Sequence, residues 1–103
     1  MFSFIETKSF SRLVDQYLSD DEYAELQQVL MSDPAAGDPI PKSGGLRKLR
    51  WGVAGRGKRG GLRVIYHARI REGVIWMLTL YSKNVKETIP GHVLKKIRKE
   101  IDG

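Results

Sequence analysis

The sequence predicts a small α+β domain of order β-α-α-β-β-β-α, with a mostly antiparallel sheet and helices packed on one face. Three observations carry that expectation. Apolar residues recur at helical spacing between Phe10 and Leu30, alternate between Leu46 and Ile70, and return to helical spacing after Pro90. At 103 residues and 41% hydrophobic composition, the chain fits one domain spanning 1–103, able to bury roughly two-thirds of its extended surface. Glycine and proline concentrate around 34–45 and 52–61, where they punctuate the pattern.

Each element has its own signal. Phe2, Phe4 and Ile5 suit a short first strand. Phe10, Leu13, Val14, Tyr17 and Leu18 form one apolar stripe of a helix. Ser19 and Glu22 make a capping box, and Asp20 and Asp21 suit the positive end of the dipole, so a second helix starts there. It carries Tyr23, Leu26, Val29 and Leu30 and stops at Pro34. Pro34, Pro39 and Pro41 with interspersed glycine then imply a loop.

Beyond it, Arg47, Leu49 and Trp51 share one side of a strand, and Leu46, Lys48 and Arg50 the other. After the glycine-cation loop, Leu62, Val64, Tyr66, Ala68 and Ile70 share a face opposite Arg63, Ile65, His67 and Arg69. Arg71-Glu72-Gly73 marks a turn, and the nearly continuous apolar run Val74 to Tyr81 reads as a central strand buried on both faces. Thr88, Pro90, Val93, Leu94, Ile97 and Ile101 outline a capped amphipathic helix with Lys95, Lys96, Arg98 and Lys99 mostly outward.

The net charge of +6 is unevenly spread. Residues 1–38 hold eight acids and two bases, 39–71 hold ten bases and no acid, and 72–103 hold six bases and four acids. A patch of that kind neutralises phosphates and releases their counterions, which favours nucleic acid over a small anion. No cysteine is present, which removes disulfides and thiolate chemistry and fits a reducing compartment. No apolar run is long enough to span a bilayer and no secretory leader is evident, so the expected location is the cytoplasm, with no membrane partner.

Gly55, Gly57 and Gly60 match a dinucleotide fingerprint by letter, but a strand rather than a helix should follow, so that reading fails. Glycines there instead let backbone amides and the heads of Arg56, Lys58 and Arg59 approach a phosphodiester. The only histidines, His67 and His92, are far apart and have no acid at ligand spacing, so no metal or cofactor is expected. His67 is more simply a surface histidine than a proton carrier.

What remains is a set of cations with a phenol: Arg47, Lys48, Arg50, Lys58, Arg59, Arg63, Tyr81 and Lys83. Tyr81 and Lys83 share parity on the last strand, and pairing with the Arg63 strand would gather several of these groups in one concavity. A binder would use them for phosphates, with Tyr81 or Trp51 stacking bases. A ribonuclease would use them to stabilise the dianionic phosphorane formed when a ribose 2′-hydroxyl attacks its neighbouring phosphate, with clustered cations lowering a lysine pKa to supply a base.

The runs GGLRKLRW, GRGKRGGLRVIY and LTLYSKN, followed by a C-terminal helix, closely resemble the HigB-like branch of the RelE/ParE toxin superfamily over nearly the whole chain. The resemblance implies a RelE-like fold and a ribosome-dependent mRNA interferase of a type II toxin–antitoxin pair, cutting mRNA in the ribosomal A site without a cofactor. It also implies a cognate antitoxin, HigA-like with a helix-turn-helix domain. By position, Arg63 corresponds to the arginine that contacts the scissile phosphate, Lys83 to a basic residue ending the last strand, and Lys48 and Lys58 to lysines of the preceding strand and loop. Lys83-Asn84 stands where RelE has a lysine-arginine pair, and RelE's C-terminal tyrosine has no counterpart, so Tyr81 would take over stacking and His92 is a further candidate. The alternative readings, from other functional classes, are a ParE-like DNA gyrase inhibitor and a non-catalytic RNA-binding module.

Overall fold

The computed structural model describes residues 2–53, 58–84 and 89–102. Its elements are β1 (Ser3–Glu6), α1 (Lys8–Tyr17), α2 (Asp20–Ser32), β2 (Asp38–Pro39), β3 (Arg47–Val53), β4 (Lys58–Arg69), a 3-10 turn (Ile70–Glu72), β5 (Val74–Ser82) and α3 (Gly91–Asp102). The strands form one sheet in the order β1-β5-β4-β3-β2. All pairs are antiparallel except β1 with β5. Among the described residues, no helix is long and apolar enough to cross a membrane.

Local chemistry sets the boundaries. Thr7 caps α1 by accepting from the Phe10 N–H, and the same hydroxyl donates to the Leu78 carbonyl at 2.7 Å, tying the helix start to β5. Ser19 and Glu22 make the reciprocal capping box expected of α2. The helix ends at Ser32, and Asp33 then supports the turn by accepting from the Ala35 N–H. The 3-10 turn closes on Gly73 at φ 66, a left-handed conformation that glycine adopts without steric cost. Thr88, expected as a cap of the last helix, lies outside the described residues; Pro90 directly precedes α3, and its carbonyl accepts from Val93 and Leu94.

The expected α+β architecture is present, with one addition and one correction. Part of the proline-rich segment is a strand: Asp38 and Pro39 pair with Lys48 and Arg47 at the sheet edge, where a proline's missing N–H is tolerated. The helices also do not share one face. α1 and α2 cover Leu62, Val64, Tyr66, Ile75, Met77 and Leu80, whereas α3 lays Ile97 and Ile101 over Leu46, Ile65, Leu78 and Tyr81. A bulge explains part of this. Ile65 faces Thr79 and Tyr66 faces Met77, so Leu78 is an extra residue that joins the second apolar surface. That surface is too apolar to remain in water, and α3 supplies its cover.

Candidate nucleic-acid interface

Register across the three central strands builds a polar row on the α3 face. Arg50 of β3 pairs with Arg63 of β4, which pairs in turn with Tyr81 of β5. Directly paired residues on adjacent strands keep side chains on the same face, with Cβ atoms about 4.5–5.5 Å apart. Lys48 lies one step along on the same face of β3, across from Ile65. The row is graded in exposure: Arg63 is 5% and Tyr81 8% exposed, Lys48 is half-buried, and Arg50 is exposed. Arg63 donates from one terminal nitrogen to the Leu62 carbonyl at 3.3 Å. A narrow crevice of about 40 Å³ lies between Lys48, Ile65 and Tyr81 on the sheet and Ile40, Ile89 and Leu94 above it.

Lys83 leaves the end of β5 two residues beyond Tyr81, exposed, and its N–H is held by the Gly61 carbonyl at 3.1 Å. Lys58 and Arg59 begin β4, but their side chains lie outside the described structure, and Arg56 lies wholly outside the described residues. A strand follows Gly55 and Gly57 at Lys58, which is the context that defeats the dinucleotide reading.

Arg47 and Trp51 are not in this row. Trp51 packs at the margin of the α1/α2 core, and Arg47 donates to the Gly37 carbonyl at 2.7 Å beside Tyr66. The alternation of β3 separates them from Lys48 and Arg50. His67 is also remote: four residues along β4 from Arg63 is about 13 Å at strand rise, and its Nδ1 lies 3.0 Å from the Gly45 carbonyl. His92 is exposed in the first turn of α3.

The electrostatics of the row follow from composition. β3, β4 and β5 contain no Asp or Glu. Paired guanidinium groups repel, and like charges directly opposite across strands are destabilising. A phosphate set against the row would offset that repulsion by accepting charge-assisted hydrogen bonds. Two placements were not foreseeable from spacing. Asp38 on β2 stands opposite Lys48, because a two-residue strand leaves no periodic trace. Lys42 also meets α3, half the chain away, where a cation in a loop and cations on a helix read separately as solvated surface.

No family model matches the sequence. The fold is similar to that of an arginine-to-alanine double mutant of the E. coli toxin RelE in the free state. The TM-score is 0.57 at 11% identity, covering 84% of this chain and 87% of that one. It is likewise similar to a conserved hypothetical protein from Helicobacter pylori, with a TM-score of 0.57 at 16% identity over 82% of this chain and 97% of that one. The chain therefore has the RelE-like fold that its sequence motifs led one to expect.

Proposed function

We propose that this protein is the toxin of a type II toxin–antitoxin pair, a HigB-like endoribonuclease that cuts mRNA in the ribosomal A site and halts translation. The single observation that carries the reading is the Arg50–Arg63–Tyr81 row, with Lys48 beside it, on a RelE-like sheet. In the proposed reaction the ribose 2′-oxygen bonds to the adjacent phosphorus while the bond to the 5′-oxygen breaks. The products are a 2′,3′-cyclic phosphate and a 5′-hydroxyl. A proton leaves the 2′-hydroxyl and another reaches the departing 5′-oxygen. Arg63 and Arg50 stabilise the charge that builds on the phosphorane. Lys48, Lys83 and the Tyr81 hydroxyl are the groups able to hold or pass protons there, and Lys58 is a further cation for the phosphate. The nucleophile comes from the substrate, so no metal-bound water is called for.

Arg56 and Arg59 add to the phosphate contacts with the ribosome, and a cognate antitoxin of the HigA type holds the toxin in check in the cytoplasm. Arg47 and Trp51, on the other face of β3, have no part in the row.

The test is primer extension on cellular mRNA after induction, with wild type beside Arg63→Ala. Wild type is expected to produce codon-associated cuts. Arg63→Ala is expected to lose at least about a hundredfold in cleavage rate, the usual scale for removing a preorganised donor to developing negative charge, while keeping the wild-type circular dichroism spectrum. Unchanged cutting by the variant removes Arg63 from the centre. Intact mRNA with impaired plasmid supercoiling points to gyrase inhibition, and intact mRNA with normal supercoiling leaves only RNA binding.

A further inference from the structure

The turn between β2 and β3 and one side of α3 enclose a cavity of about 550 Å³ that the catalytic reading does not use. Lys42 and Ser43 line it from the turn, and Lys95, Arg98 and Lys99 from the helix; among the described residues its lining holds no acid. On α3 the three cations fall at i, i+3 and i+4 and so form one stripe of like charge, which destabilises a helix in isolation. The apolar residues Val93, Ile97 and Ile101 lie on the stripe that meets the sheet. The cationic stripe is thus a separate face, turned into a hollow.

The turn is built to hold its part of that hollow. Lys42 has φ 58, a left-handed conformation uncommon for a residue with a side chain, followed by Gly44 at φ 76 and Gly45 at φ 100. Ser43 keeps this shape, its hydroxyl donating to the Ile40 carbonyl at 2.6 Å and accepting from the Leu46 N–H at 3.0 Å. Gly44 lies directly against Arg98: a Cβ at that position would be 3.3 Å from the Arg98 Nε. The guanidinium is therefore packed under the turn instead of swinging through solvent. Leu94 lines both this cavity and the crevice that holds Lys48 and Tyr81, so the two cationic regions adjoin across one helix side chain.

We propose that the cleft formed by Lys42, Lys95, Arg98 and Lys99 is a second RNA-backbone site, which takes phosphodiesters of the RNA alongside the Arg50–Arg63–Tyr81 row. A simple solvated basic face would be convex, with its cations dispersed; here they converge on a concavity from two elements distant in sequence. The polyanion relieves the repulsion along α3 and between α3 and Lys42, and counterions released from its phosphates supply the binding free energy. The inference rests on the reading that this protein acts on RNA. The phosphates could belong to the message or to structured ribosomal RNA, and the experiment separates the two.

The cleft variant Lys42→Gln/Lys95→Gln/Lys99→Gln is compared with the control Lys8→Gln/Arg12→Gln/Lys96→Gln, which removes the same charge elsewhere. Binding to a fluorescein-labelled single-stranded RNA is measured by anisotropy, and binding to purified ribosomes by cosedimentation, each over a KCl series. The cleft variant should lose about tenfold or more in affinity, with a salt dependence shallower by about two units, whereas the control should stay within about twofold of wild type. A loss on the short RNA assigns the cleft to the message, and a loss on ribosomes alone assigns it to ribosomal RNA. A cleft variant matching the control in affinity and slope on both ligands overturns the proposal, as does a wild type that binds neither. Melting temperatures within the range of the control exclude unfolding as the cause. A cleft that binds RNA in a protein that never cuts it would sink the nuclease reading and leave this site standing; normal cutting with an inert cleft would do the reverse.

Discussion

Tyr66 illustrates how much one side chain can decide. Its ring is fully buried on β4, and its hydroxyl donates to the Pro34 carbonyl at 2.7 Å and accepts from the Gly37 N–H at 2.9 Å, so it holds the segment that leads into β2. Burial is the main cause raising its pKa above the ordinary 10.0. Tyr23, which donates to Glu6 at 2.8 Å, is raised further, first by burial and then by that hydrogen bond. A raised folded-state pKa means the native protein grips the phenolic proton more tightly than the unfolded chain does. That stability is fully present below pH 10 and is lost as the pH climbs through the folded values. Urea titrations should therefore show stability falling above about pH 10, with a shallower fall in Tyr23→Phe. Tyr66→Phe should cost about 1–3 kcal/mol at neutral pH, because it leaves the Gly37 amide and Pro34 carbonyl without their partner. At this scale the site was partly legible. Parity alone put Tyr81 with Lys83 and Lys48 with Arg50, and the hairpin signal then placed Arg63 beside Tyr81. The same parity separates Arg47 and Trp51 from them; grouping by charge and aromaticity overlooked it.

At the scale of elements, periodicity found every helix and the long strands, since each has a one-sided apolar pattern. It could not find β2, which is two residues long. Nor could it find the bulge at Leu78, because a strand that is apolar throughout gives no sign of an inserted residue. That hidden insertion helps make the Arg63 face apolar enough to need α3, which is why the expectation of helices on one face failed. The turn before β3 offers a sharp test. Gly45 sits at φ 100, and a Cβ there would lie 3.0 Å from the His67 ring. Gly45→Ala should destabilise the protein by about 1–2 kcal/mol, the usual penalty for forcing a side chain into left-handed backbone. In urea denaturation the midpoint should fall, and the NMR shifts of the His67 ring should move with it.

At the scale of the molecule, two apolar cores share one sheet, and the second depends on a single helix. Ile97 is 8% exposed between α3 and the sheet. Ile97→Asp should cost about 3 kcal/mol or more, as expected when an unpaired carboxylate is forced into such a place. Hydrogen exchange should reveal the loss first in the amides of α3, with α1 and α2 protected for longer; uniform loss would show that the cores are not separable.

One connection in the sheet has consequences for how the chain reaches this state. Residues 3–6 of β1 pair with residues 74–77 of β5. The β1 segment must therefore wait for β5, far later in the chain, before it gains this partner, and such distant pairing slows folding relative to local contacts. A nascent chain has no complete sheet, and hence no Arg63–Tyr81 neighbourhood, until β5 has been made. The row of Arg50, Arg63 and Tyr81 is thus assembled only when distant parts of the chain meet, by topology alone.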